Sequence, residues 1–171
     1  MTVKDRHIAI YTHPVSLLED PDRIRAAHRG ELMHLILYFL ERLTEPSDIR
    51  CAVDRAFALQ GITTTSWDLD NDFVAPLEKA LSLPEVRPWF DEATTNLREV
   101  EVVDANGELH RIDRLVVGSD ALHVIDFKVG HREEAHRVQV RLYQGLVATI
   151  FRKPARGYLL YIDEPAADEV R

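Results

Sequence analysis

Near Leu97 the hydrophobic period of this chain switches from the 3.6-residue spacing of helices to the two-residue alternation of strands. Upstream, Asp20, Pro21 and Asp22 form a helix start signal. Apolar residues then recur at Leu32, Leu35, Ile36, Phe39, Leu40 and Leu43, so a helix is predicted until Pro46 stops the run. A second helix is predicted from Ser47 to Leu59, ended by Gly61. The stretch from Thr63 through Thr64 and Thr65 to Ser66 reads as a loop, and a third helix is predicted from about Asp72 to Leu81, closed by Pro84. Downstream, Val100, Val102 and Val103 predict a first strand, Asn106-Gly107 a hairpin turn, Leu109 to Val117 a second strand and Leu122 to Phe127 a third. Helical spacing returns from Glu133 to Lys153, with Leu142, Leu146, Val147 and Ile150 on one stripe, and Tyr158 to Ile162 reads as a last strand. The expected class is α/β: an N-terminal helical portion, a three-stranded antiparallel meander, a helix and a strand. At 171 residues one domain is expected, divided into a mainly helical portion (1–95), a sheet and helix (96–163) and a tail (164–171).

Composition narrows the function classes. The formal net charge of −8 argues against a nucleic-acid coat or a polybasic membrane binder, but not against a local basic groove. Cys51 is the single cysteine, so an internal disulfide, a cysteine zinc site and an iron–sulfur cluster are all excluded, and a reducing, cytoplasmic setting is expected. The longest near-apolar run, Leu32 to Leu40, falls far short of the roughly 20 residues of a membrane span. Met1 to Pro14 lack the apolar stretch of a signal peptide.

The second and third strands concentrate the chemistry. A two-residue connection at Ser119-Asp120 pairs Gly118 with Ala121, and in that register Asp113 faces Asp126, with Cβ atoms about 4.5–5.5 Å apart. Opposed like charges want a cation between them or a shared proton. Lys128, two residues beyond Asp126, shares its face of the sheet. Two carboxylates and an ammonium group suit a magnesium ion and a nearby water, the equipment for phosphodiester hydrolysis. With 15 aspartates and four lysines, however, one Asp-x-Lys arises in roughly one random chain in three, and a three-residue turn would send the aspartates to opposite faces.

Three further features bear on the same centre. Gln139 and Tyr143 lie four residues apart on an apolar stripe, either as a buried amide satisfied by backbone or as polar groups emerging into a cleft. His34 stands in a helix segment apolar nearly all round, where a hydrogen-bonded core histidine is the commoner outcome. Gly30, one turn earlier, costs that helix about 1 kcal/mol relative to alanine, which suggests that something approaches the backbone there. From Lys128 to Arg156 seven basic residues stand against two acidic ones, a local excess that either binds phosphates or is a solvated helix face.

Taken in order, Gly30-Glu31-Leu32-Met33-His34, Ile112-Asp113-Arg114-Leu115, Val124-Ile125-Asp126-Phe127-Lys128-Val129-Gly130, Gln139-x-x-x-Tyr143 and Gly157-Tyr158-Leu159-Leu160-Tyr161-Ile162 resemble the PD-(D/E)XK nucleases. Within them the set is similar to the RecB-like domains at the C-terminal end of AddA and RecB helicase-nucleases. The resemblance implies a restriction-endonuclease-like core and a Mg2+-dependent deoxyribonuclease, expected as an exonuclease, with Mn2+ as the alternative ion and no iron–sulfur cluster. It implies that Asp113, Asp126 and Lys128 are catalytic. It implies that His34, Asp113, Asp126 and the main-chain carbonyl of Phe127 hold the metal, and that Gln139, Tyr143, Arg137 and Arg141 meet DNA. Implied partners are DNA and a helicase motor domain or subunit, in double-strand-break repair. The alternative is a catalytically silent module that binds DNA or a helicase. Ile112 stands where the family name has proline, Val129 where threonine often follows the lysine, and Glu99 and Glu101 compete for an acidic position on the first strand. The chain has no Gly-x-x-x-x-Gly-Lys phosphate loop, so any such ATP-driven motor would lie elsewhere.

Overall fold

The computed structural model describes residues 20–62, 66–91 and 94–171. The expected loop at Thr63 to Thr65 and the segment Met1 to Pro14 fall outside them. Helix α1 spans Pro21–Phe39 behind Asp20, whose side chain accepts the Asp22 N–H at 3.0 Å. Helix α2 spans Ser47–Gln60 and ends on Gly61 in the left-handed conformation, φ +62°. A π-helical turn at Asp70–Val74 leads into α3, Ala75–Leu81, so the third helical segment starts earlier than Asp72. A short 3-10 turn, Arg87–Phe90, precedes the sheet.

The strands are β1 (Thr95–Val103), β2 (Leu109–Val117), β3 (Leu122–Lys128), β4 (Ala155–Tyr161) and β5 (Ala166–Val170), and helix α4 (Glu134–Phe151) connects β3 to β4. They form one mixed sheet in the order β1-β2-β3-β4-β5, in which only the β3–β4 pair is parallel. Helices α1 to α3 bury Val116, Ile125, Phe127 and Leu160 on one face of the sheet. On the other face, Tyr143 and Val147 of α4 pack against Ile112, Leu115, Leu122 and Val124. The two-residue turn is present, with the Gly118 N–H donating to the Ala121 carbonyl at 3.0 Å. Pairs from Val117↔Leu122 to Arg114↔Ile125 carry the expected register to the position next to the two aspartates. Among the described residues no helix is long and apolar enough to cross a membrane.

Further expectations change, beginning with the strand expected at Tyr158 to Ile162, which runs Ala155–Tyr161. α1 stops at Phe39, short of Pro46, because its C-terminal carbonyls are taken by arginines of the sheet. Arg98 donates to Tyr38 O at 2.6 Å, and Arg114 to Leu37 O at 3.2 Å and Leu40 O at 2.5 Å. β1 begins at Thr95, ahead of Val100, since Asn96 and Arg98 spend their polar side chains on that same helix end. The residues expected as a tail form β5, held by pairing with β4 and by Asp168, which accepts from Arg132 at 2.9 Å and Arg137 at 3.1 Å. The α4 stripe is rotated: Val140, Tyr143 and Val147 face the sheet, whereas Leu142 is 43% and Ile150 54% exposed.

Candidate active site

Asp113 ends up beside β3 because the hairpin register carries it there, and its Oδ2 accepts the Phe127 N–H at 2.8 Å. Its other oxygen, Oδ1, lies 3.4 Å from His34 Nδ1, so α1 meets β2 at this point. Asp126 is 3% exposed, and its Oδ2 sits 2.7 Å from Lys128 Nζ, the strand period having put both side chains on one face. Lys128 Nζ also donates to Gln139 Oε1 at 3.0 Å, and Gln139 Nε2 donates to the Tyr143 hydroxyl at 2.8 Å. One turn of α4 thereby fixes the ammonium group from the far side. All six side chains line one open cleft of about 1050 Å³.

Within the family comparison, residues 10–170 match the PD-(D/E)XK nuclease superfamily. The chain belongs to that superfamily. Its mixed five-stranded sheet with flanking helices is the restriction-endonuclease-like fold, and membership points to a metal-dependent nuclease. No curated protein matches the sequence. The solved structure of the protein SSO0001 is 16% identical over 88% of this chain and 77% of that one, with a TM-score of 0.35, a likeness too slight to bear on function.

Electrostatics in this PD-(D/E)XK cleft are those of a site short of positive charge. Burial and then the Asp113 charge push the Asp126 carboxyl up to about 6, against the opposing pull of Lys128. Burial alone would lower the His34 imidazole, but its contact with Asp113 and the charges of Asp113 and Asp126 outweigh that and raise it. Burial, assisted by both aspartates, raises the Tyr143 phenol. Asp126 Oδ2 is buried and meets the Lys128 ammonium group at 2.7 Å. Two carboxylates with an imidazole adjacent are a donor set that fits a hard divalent cation.

The structure does not bring Arg137 and Arg141 to the cleft. Each lies two residues from a cleft-facing position, which is 200° round a helix. They turn instead toward β5, where Arg137 pairs with Asp168 and Arg141 donates to Arg171 O at 2.9 Å. Phe127 contributes its N–H to Asp113, and its ring stands edge-on to His34 with centroids 6.5 Å apart.

The sequence reading left Glu99 and Glu101 competing for one acidic position and did not single out Asp104, Glu108 or His110, of which His110 lines the cleft. Glu99 lies across from Asp113 in the β1–β2 register, holds a left-handed backbone with φ +51°, and pairs with Arg111 at 2.7 Å. Burial and then Asp113 raise its carboxyl, with Arg111 opposing. A two-residue turn at Asn106-Gly107 would pair Ala105 with Glu108 and set Glu99 against Arg114; the loop instead holds three residues, the Asp104 N–H donating to Glu108 O at 2.9 Å, and this sets Val103 against Leu109 and Glu99 against Asp113. Glu101 lines the cleft too, but exposed. Asp104, Glu108 and His110 form a second carboxylate–histidine group whose ligand atoms lie within 4.8 Å of one another, donor types that can hold a divalent ion. Asp104 there staples the turn, accepting the Asn106 and Glu108 N–H groups at 2.8 and 2.9 Å, and touches His110 Nε2 at 3.3 Å.

Proposed function

We propose that this PD-(D/E)XK domain is a Mg2+- or Mn2+-dependent deoxyribonuclease of the RecB-like kind, acting as an exonuclease beside a helicase motor in double-strand-break repair, in the cytoplasm. The observation that carries the reading is the convergence of Asp113, Asp126, Lys128 and Gln139 on one cleft through three linked contacts. The intact set of Asp113, Asp126, Lys128 and His34 in that cleft favours catalysis over a domain kept only to bind DNA or a partner. His34, Asp113, Asp126 and the Phe127 carbonyl would hold the ion. When bound, the ion supplies neutralisation of the scissile phosphate and Lewis-acid activation of the attacking water.

The chain's own residues do the positioning. Lys128 is tied at one side to Asp126 and at the other to Gln139, so its ammonium group points into the cleft with little freedom and can orient a water for in-line attack. Tyr143 holds the amide of Gln139 in the orientation that presents its oxygen to Lys128. Phe127 fixes Asp113 through its N–H, leaving Oδ1 facing His34.

Cleavage of end-labelled linear single- and double-stranded DNA with magnesium, with manganese and with a chelator tests the reading. Metal-dependent release of label is expected, abolished in Asp126→Ala and Lys128→Ala proteins. Metal binding by calorimetry without cleavage would favour a domain that needs its motor. Neither cleavage nor metal binding would leave the silent binding module.

A further inference from the structure

Gly30 sits in the middle of α1, where glycine is among the least favourable residues. Neither backbone nor packing requires it. Its φ is not positive, unlike those of Gly61, Gly107 and Gly130, so no left-handed turn depends on it. A Cβ built at Gly30 would meet nothing within 4 Å. Gly157 is the contrast: a Cβ there would lie 2.7 Å from Gln144 Cδ and closer still to Val140, so the approach of α4 to β4 explains that glycine completely. Gly145, in α4, also has open space around its Cβ position, but it is exposed and away from the cleft. Gly30 lines the cleft, one helical turn before His34 and on the same side of α1. The Asp126–Lys128 ion pair lines that same cleft.

We propose that Gly30 is a specificity-determining residue: its missing side chain leaves room for the sugar–phosphate backbone of the bound strand to run against α1 next to the scissile phosphate. This rests on the nuclease reading and adds to it the path of the strand. Ala27, one turn further along α1, lines the cleft with the smallest side chain after glycine and continues the same shallow wall. A methyl group at position 30 would stabilise the free helix and obstruct the strand, so stability and binding should move in opposite directions.

The experiment compares Gly30→Ala, Gly30→Leu and Gly145→Ala with the wild type. Thermal unfolding is read by circular dichroism. Affinity for a fluorescent single-stranded oligodeoxynucleotide is read by anisotropy in Ca2+, and Ca2+ affinity by calorimetry. Both alanine variants are expected to melt about 2–4 °C higher. Gly145→Ala should bind the oligonucleotide as the wild type does, Gly30→Ala several-fold more weakly and Gly30→Leu at least tenfold more weakly, all with unchanged Ca2+ affinity. If Gly30→Leu fails to fold, Gly30→Ala against Gly145→Ala decides. Oligonucleotide affinity within twofold of wild type in the Gly30 variants would overturn the inference and leave the nuclease reading standing. A wild type that binds no oligonucleotide would overturn both.

Discussion

Replacing Arg114 with methionine should unfold this protein well before any active-site substitution does. Among the described residues Arg114 is the largest fully buried side chain, and it is charged. Its guanidinium lies 3.9 Å from the centre of the Phe90 ring and donates to four carbonyls, those of Leu37, Leu40, Glu41 and Trp89. Helix α1 has no basic residue in its last turn, so a residue of β2 supplies the cation that its C-terminus lacks. Methionine keeps much of the apolar stem and removes every donor. Leu37 and Leu40 are both buried, and leaving their carbonyls unpaired costs about 1–3 kcal/mol each. Relief of burying a cation offsets part of this; burial, then Arg98, pushes the Arg114 guanidinium down to about 9. A net loss of about 3 kcal/mol follows, which lowers Tm by roughly 6–12 °C for a domain of this size. Arg114→Lys should fall between, since one ammonium group cannot reach both pairs of oxygens. Thermal and urea unfolding measure it. A methionine variant melting within about 2 °C of the wild type would refute the claim that Arg114 holds the end of α1.

Gly157→Ala should destabilise by about 1–3 kcal/mol in the same melts, because the added methyl collides with Val140 and Gln144 unless α4 backs away from β4. His123 should make the fold acid-sensitive: burial, then Arg156, holds its imidazole below 6.5, with Glu169 opposing. Above that value the ring is neutral in both states and costs nothing. As pH falls through it the unfolded chain takes the proton first, so stability is lost until the lower folded value is passed. His123→Phe, which keeps the ring stacked on Tyr158, should lose less Tm than the wild type between pH 7.5 and pH 5; parallel curves would exclude His123 as the cause.

The sheet was more legible than the helices around it because strand pairing is arithmetic. Once Ser119-Asp120 is read as a two-residue turn, every later pair follows, and Leu109–Val117 is observed with the predicted bounds. The same counting from Asn106-Gly107 misses by one, because Ala105 also belongs to that loop and only the three-residue loop sets Glu99 against Asp113. β5 was not legible, because Ala166, Ala167, Asp168 and Glu169 carry no strand preference of their own and are ordered by β4 and by two arginines. The misread stripe of α4 has a similar origin. Leu142 and Ile150 read in sequence as one stripe with Tyr143 and Val147, and only the contact with the sheet decides that the latter two are buried and the former two exposed.

His34 is the site residue whose place the sequence could least specify. Its helix is held by charges that read as solvent-facing in a linear sequence. Arg98 and Arg114, paired across β1 and β2, take the C-terminal carbonyls of α1. At the middle of the helix, Arg29 grips Asp163 with two bonds of 3.1 and 2.8 Å, and Asp163 accepts the Gly130 N–H at 3.0 Å, just past Lys128. The imidazole thus reaches Asp113 only because α1 is fastened at its middle and at its C-terminal end, on either side of His34, to the strands and turn around the carboxylates. The two aspartates need nothing but hairpin register to meet. The histidine needs the whole helical layer, and it is therefore the part of the site that loosening of that layer would displace first.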